Sequence, residues 1–259
     1  MIKPPMHPFK DLSIPIFRVD HHYSHSLSSW MLKSNSSSDF VLDGFGDLYR
    51  SCSVFQNNKL VDVYTLETMF SLGKFLSNFG EHIGVLGIGD DAAGKLISLK
   101  YNWLQQKIKQ FGNINQKFYN YISQFKLQDS KKIYDFGAFE KIIGSTKASA
   151  YMYLDFLRTV HDYMEEAFPK FFLEHEDPTN VITYSGGVAH NVCINTILKQ
   201  NFPKLIIPPH CNDEGLSLGC VEFLRQYYNQ PRFETKNFPF WQTDTAPRTN
   251  PSDKTIRDT

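Results

Sequence analysis

The chain has no excess of charge of either sign: across 259 residues, Lys plus Arg and Asp plus Glu each total 27. A balanced chain offers no overall electrostatic footprint for nucleic acid or an anionic membrane, though local basic patches are still allowed. Cysteine is sparse. The four residues Cys52, Cys193, Cys211 and Cys220 include no CxxC pair, which excludes a zinc knuckle and a thioredoxin-type site and fits reduced thiols in the cytoplasm. No window approaches the roughly 18 consecutive apolar residues that a membrane-spanning helix requires. The opening MIKPPMHPFKDLSIP carries prolines where a secretion signal would carry an apolar run. Internal repeats are absent, and the only low-complexity tract is the serine-rich KSNSSSD of Lys33 to Asp39. These absences leave a soluble globular protein.

What the chain does have is packing mass. It is 41% hydrophobic with 22 Phe and 13 Tyr, enough to bury the core of one large domain or two small ones. IPIFRV (Ile14 to Val19) predicts a strand ending at Asp20, and Asp20 is placed to cap a helix formed by HHYSHSLSSWML. FVLDGFGD and YRSCSVFQNNKLVDVYTL alternate like strands, with QNNK as the turn of a hairpin. From Glu67 the period becomes helical, interrupted by the glycines of GVLGIGDDAAGK, and residues 96–128 read as helical again. Ser145 to His175 is the clearest long amphipathic helix, opening on a Ser145 or Thr146 cap and kinking or ending at Pro169.

NVITYSGGVAHNVCINTILKQN then gives a strand, a glycine turn and a helix. KLIIPP predicts a short strand, and DEGLSLGCVEFLRQYY a helix behind Asp213. Past Tyr228 the chain turns polar and proline-containing and predicts an irregular extension. The mixture of strands and helices predicts an α/β layered fold. One domain is expected over residues 14–228 and a polar extension over 229–259.

Five stretches could carry chemistry. In HHYSH, a helix would place His21 and His25 at i and i+4 on one face, where two imidazoles can reach one metal ion. His22 would point about 100° away, and the bland reading of the cluster is a surface helix end. In LDGFGD, Asp43 falls at a strand end, where α/β sites place acids for metals or phosphates, or where Asp-Gly simply makes a turn. In YSGGVAHNVCIN, Gly186 and Gly187 would let backbone N–H groups approach a phosphate, and Asn191 and Asn195, one helical turn apart, could both face a nucleotide. The same glycines could equally ease a plain turn, and neither a Rossmann nor a Walker fingerprint fits. In HCNDEGLSLG, Asp213 could cap a helix, bind a metal, or both. In GIGDDAAGKL, Lys95 could meet a phosphate or remain an exposed charge.

Taken in order, HHxxH, DGxGD, SLG, the glycine-rich stretch with AGK, SGGVAxN and DEGxxxG form a series over Val19 to Tyr228 that resembles the O-carbamoyltransferase family. That family includes the nodulation-factor and antibiotic carbamoyltransferases. The series is also similar to the hydrogenase-maturation carbamoyltransferase and to the tRNA threonylcarbamoyl-transfer protein. The resemblance implies an actin/sugar-kinase/Hsp70-like ATPase fold. It implies a divalent metal, iron or else zinc, held by His21, His25 and Asp213 with Asp43 beside it. It implies that Ser185, Gly186, Gly187 and Asn191 hold an adenine nucleotide, and that Gly73 of the SLG motif and Lys95 line the same cleft. His22 is then the nearest candidate for a general base.

The reaction implied is carbamoyl transfer from carbamoyl-adenylate, made from carbamoyl phosphate and ATP, to a hydroxyl or amine acceptor on a small molecule, sugar or modified nucleoside. The family places a further segment ahead of HHxxH and a carbamoyl-adenylate-forming domain after it. With only twenty residues ahead of His21, the expectation is a partial fold, most of its first half missing, completed by a partner chain. Three alternatives stay open: a non-catalytic nucleotide-binding subunit or truncated inactive homologue, a Mg²⁺-dependent sugar-kinase-like phosphotransferase, and threonylcarbamoyl transfer to tRNA. The balanced charge argues against the last.

Overall fold

Asp20 starts the first helix as its residue type dictates. Its carbonyl accepts the first intrahelical bond, from Ser24 N–H at 2.9 Å, and its carboxylate accepts from the Tyr23 backbone N–H at 3.1 Å, so one of the helix's unpaired first donors is satisfied. The helix α1 runs His21–Trp30. The structure is a computed structural model that describes residues 15–30, 37–82, 94–97, 119–120, 123 and 150–232. The Ser-rich break, most of GVLGIGDDAAGK and of the helix expected over 96–128, the Ser145 and Thr146 caps and the extension beyond Arg232 lie outside the described residues.

The strand expected over Ile14 to Val19 is not formed: residues 15–20 join no sheet. Their apolar side chains are used in packing instead. Phe17 lies 4.7 Å from the Tyr227 ring and 5.8 Å from that of Phe223, while Arg18 pairs with Asp47 at 3.4 Å.

Four strands make the sheet: β1 Ser38–Leu42, β2 Arg50–Gln56, β3 Lys59–Thr65 and β4 Ile182–Ser185, in the order β3-β2-β1-β4. The first three form an antiparallel meander and β4 joins β1 in parallel. The expected hairpin turn is present. Asn57 and Asn58 both take left-handed φ, 49° and 63°, the conformation a two-residue hairpin loop needs and Asn tolerates. KLIIPP reduces to a single bridge between Ile206 and Thr183. Pro203 and Pro208 flank it and lack the N–H groups that would extend a ladder.

Helices cover both faces of this sheet. Alternate residues of β2 point oppositely, as the pleat requires: Ser53 and Phe55 reach α1, whereas Cys52 and Val54 enter the core with Phe171 and Phe172. Those phenylalanines belong to α3 (Ala150–His175), which runs on through Pro169. A second helix, α2 (Leu72–His82), adds Phe75 and Phe79 to the same core. Phe40 of β1 stacks on Phe172 at 3.9 Å. After β4 come α4 (Val192–Asn201) and α5 (Leu216–Tyr227). Helix α5 packs tightly on α1, since a Cβ at Gly219 would overlap the Ser24 carbonyl. Buried Asp39 fastens these layers by accepting from Ser26 Oγ, Trp30 Nε1 and Thr183 Oγ1 at 2.9, 3.1 and 2.7 Å. The result is the mixed α/β architecture that the sequence predicts.

Candidate metal centre and glycine turn

Two imidazoles one helical turn apart on α1 share a face, and their rings lie 4.9 Å apart. Two carboxylates come to meet them. Asp43 follows directly on β1, and Asp213 opens the short 3₁₀ turn Asp213–Gly215 ahead of α5. The His21 Nε2–H donates to Asp43 Oδ2 at 2.8 Å. Asp213 Oδ1 lies 3.5 Å from His21 Nε2 and 3.3 Å from His25 Nε2, and Asp43 Oδ2 lies 3.7 Å from His25 Nε2. One ligand atom from each of the four residues falls within 4.8 Å of every other. Nitrogen and oxygen donors about 2.0–2.2 Å from a transition metal span similar distances. Asp213 therefore turns its carboxylate to the imidazoles, and neither the 3₁₀ turn nor α5 has a side-chain cap.

His25 shows that the residues fit a metal. Its ring is fully buried, yet Nε2 makes no hydrogen bond of acceptable geometry with either carboxylate. A buried nitrogen without a partner is costly, and this one faces the space between Asp43 and Asp213. Asp213 is exposed, which leaves an open side for a further ligand.

The charges reinforce one another. The hydrogen bond to Asp43 raises the pKa of His21 against the effect of burial. Burial works against a charged His25, but the Asp213 and Asp43 carboxylates outweigh it and raise that pKa too. Burial alone would raise Asp43; the two histidines overcome it and hold the carboxyl well below the usual range. A centre that draws protons onto its imidazoles in this way is built for positive charge, and a metal binding there would displace those protons.

His22 is a different kind of histidine. It is fully buried in the wall behind the centre, its Nδ1 2.8 Å from Ser53 Oγ, and a Cβ at Gly46 would sit 2.6 Å from its Cδ2. Burial lowers its pKa from 6.5 to about 4, so the ring is neutral at neutral pH. The folded ring refuses a proton that the unfolded ring accepts. The associated stability is complete above about pH 6.5 and drains away as pH falls toward 4, by about 3 kcal/mol in all. Urea unfolding of the chelator-treated chain should show this loss over that range, and His22→Asn should flatten it; an unchanged slope in the variant would refute this assignment.

Asp43 also reaches the glycine turn. Its Oδ1 accepts from Gly44 N–H at 2.7 Å and from Gly187 N–H at 3.3 Å. Gly186, buried, holds φ 94° with its Cα against the backbone of Leu42. Ser71 Oγ lies 2.9 and 2.8 Å from the Asp43 and Gly44 carbonyls, and Gly73 lets α2 approach Gly44, where a Cβ would come within 3.0 Å of its Cα. The SLG motif thus braces the Asp43 loop. Ser185 is buried and donates to the His25 carbonyl at 3.2 Å.

Asn191 is 2% exposed and caps α4, its Oδ1 accepting from Cys193 N–H and Ile194 N–H. Asn195 donates to the Ala189 carbonyl at 2.7 Å, so both amides engage the turn itself. Lys95 lies exposed on the helical segment 94–97 and joins none of these contacts. Sequence reasoning gave no role to Asp47, which accepts from His21 N–H at 3.2 Å, or to Ser53. Asp47 closes the DGxGD motif, so the signal was present; Ser53 has none, being one strand serine among several.

An α/β domain with an imidazole–carboxylate centre joined to a glycine turn is a candidate metal- and anion-handling domain. The chain belongs to the carbamoyltransferase N-terminus family, whose model matches residues 9–221, and the chemistry of that family is carbamoyl transfer. No curated protein matches the chain. Among solved structures it is similar to component A of (R)-2-hydroxyglutaryl-CoA dehydratase from Acidaminococcus fermentans, at 12% identity and a TM-score of 0.47, over 80% of this chain and 68% of that one. The activator of the 2-hydroxyisocaproyl-CoA dehydratase from Clostridium difficile, solved with ADPNP, matches at 12% and 0.45 over 82% and 70%. HypF from T. kodakarensis matches at 13% and 0.43 over 85% of this chain and 38% of its own. No described helix is long and apolar enough to cross a membrane.

Proposed function

We propose that this chain provides the metal-centred part of an ATP-dependent carbamoyl transfer to a hydroxyl or amine acceptor. The observation that carries the reading is the buried Nε2 of His25, which lies 3.3 and 3.7 Å from two carboxylates without a well-formed hydrogen bond to either. His21, His25 and Asp213 would hold one divalent metal, iron in the first place and zinc as the alternative, with Asp43 beside it. When bound, the metal would supply Lewis-acid polarisation of a carbamoyl oxygen.

The remaining roles fall to the protein's own groups. The Gly186–Gly187 turn, with Ser185 below it and Asn191 holding its far end, would let the AMP part of carbamoyl-adenylate approach the main chain closely, while its two glycine N–H groups are held by the Cys211 carbonyl and Asp43 Oδ1. Asp43 Oδ1 ties that turn to the His pair, so nucleotide and metal share one anchor. Gly73 keeps α2 against the same loop, and the exposed Lys95 would meet phosphate at the domain surface. Neutral His22 supports the helix face from behind through Ser53. The unit doing this work spans residues 14–228, with 229–259 an appended extension. The carbamoyl-adenylate itself, made from carbamoyl phosphate and ATP, comes from a partner chain.

The test combines the purified chain, alone and with polypeptides encoded beside it, with carbamoyl phosphate, ATP and a panel of sugar, nucleoside and amine acceptors. Transfer that appears on addition of a companion polypeptide, together with about one metal equivalent in this chain, is the expected result. Nucleotide binding with no pyrophosphate release under any combination would replace the reading with that of a non-catalytic nucleotide-binding subunit.

A further inference from the structure

A second group of ligand-type side chains lies on the other side of the glycine turn. His161 and Glu165, one turn apart on α3, and Cys193, in the first turn of α4, bring their donor atoms within 4.8 Å of one another. The set has the chemistry of a zinc site, but the hydrogen bonds around it have a direction that a zinc site cannot share. Asn191 Oδ1 accepts from Cys193 N–H and Ile194 N–H, both at 3.2 Å. Backbone N–H groups only donate, so they fix the oxygen end of that amide. The NH₂ end then faces His161 Nε2 at 2.9 Å, and Nε2 must be the bare, accepting nitrogen. The ring N–H is therefore on Nδ1, which donates to Glu165 Oε1 at 3.1 Å. A metal on Nδ1 would move that proton to Nε2, against the amide NH₂.

We infer that Glu165, His161 and Asn191 form a positioning relay that holds the glycine turn, not a second metal site. Every donor in the chain points the same way, from the first amides of α4 through Asn191 and the buried His161 ring to Glu165. Asn191 closes the 3₁₀ turn Gly187–His190, and the opposite end of that turn is tied by Gly187 N–H to Asp43 at the metal centre. The segment that follows the two glycines is thereby pinned at both ends, by the His pair through Asp43 and by α3 through His161. His161 acts on nucleotide through Asn191 and the turn without touching it. This deepens the proposed function and rests on its assignment of the nucleotide to residues 185–191.

The distinguishing variant is His161→Gln. Its side-chain oxygen can accept from Asn191 while its amide donates to Glu165, whereas His161→Ala can do neither. In the full-length chain, His161→Ala is expected to weaken binding of a non-hydrolysable ATP analogue by about tenfold or more, and His161→Gln to stay within about threefold of wild type. Neither substitution should change the metal content. Equal losses in both variants, no loss in either, or a second equivalent of zinc that disappears in His161→Ala would each overturn the relay. Should the wild-type chain bind no nucleotide, the reading under Proposed function fails. The relay is then decided by amide hydrogen exchange: faster exchange at Cys193 and Ile194 in His161→Ala but not in His161→Gln upholds it, and unchanged exchange sinks it.

Discussion

On the proposed function, replacing His25 with alanine is expected to lower the metal content of the candidate centre from about one equivalent to near zero, and carbamoyl transfer in the assembled system by about a thousandfold or more. Polarising a carbonyl oxygen is worth several kcal/mol of transition-state stabilisation, and about 4 kcal/mol corresponds to three factors of ten. His25 is the more telling of the two histidines. His21 already has a hydrogen-bond partner in Asp43, whereas His25 Nε2 has none despite full burial. The metal-free fold of the variant loses a buried ring and its ion pairs with Asp43 and Asp213, so folding is measured separately from binding. Elemental analysis and steady-state transfer measure the first effect, and thermal unfolding with and without added metal measures the second. Added metal should raise the midpoint of the wild-type chain and leave that of His25→Ala unchanged. A variant that keeps both its metal and its rate would remove the centre from the mechanism.

Gly186→Ala is expected to cost about 3–5 kcal/mol, a large share of the stability of any domain. Two independent terms add. At φ 94° and ψ 165° the backbone occupies a region that is essentially restricted to glycine. In addition, a Cβ there would overlap the carbonyl group of Leu42, main-chain atoms of the strand paired in parallel with β4, which cannot rotate away. Gly44→Ala is the matched control, since its Cβ would meet only Lys74 N at 3.9 Å, and it should stay within about 1 kcal/mol of wild type. Urea unfolding of the metal-free proteins makes the comparison; similar midpoints for the two variants would show that Gly186 is not under this constraint.

The stretches legible from sequence are those whose cause is local. Asp20 capping α1, the Asn57–Asn58 hairpin and the strand–glycine–helix run around Gly186 each rest on a few adjacent residues, and each forms as expected. The failures have local signals overridden by distant partners. The apolar residues ahead of Asp20 are taken up by α5 aromatics in place of a ladder, and KLIIPP is cut to one bridge by its own prolines. The contacts of Asn191 with α4 and α3 are likewise announced by no local pattern. His161 carries no sequence signal at all, because one histidine on a long amphipathic helix looks like any other.

For the site, the sequence by itself determined that His21 and His25 share one face, because 3.6 residues per turn leaves no alternative once α1 is capped. It also determined that a glycine would end β4, since no other residue takes that backbone. Which carboxylates complete the centre was decided only by tertiary structure. Asp43 arrives because β1 pairs with β4 and ends beside α1, and Asp213 arrives because Gly219 lets α5 close on Ser24. Helical periodicity acts over one turn of chain, whereas the approach of a strand end and a helix start from far apart depends on sheet order and close packing that no local pattern encodes.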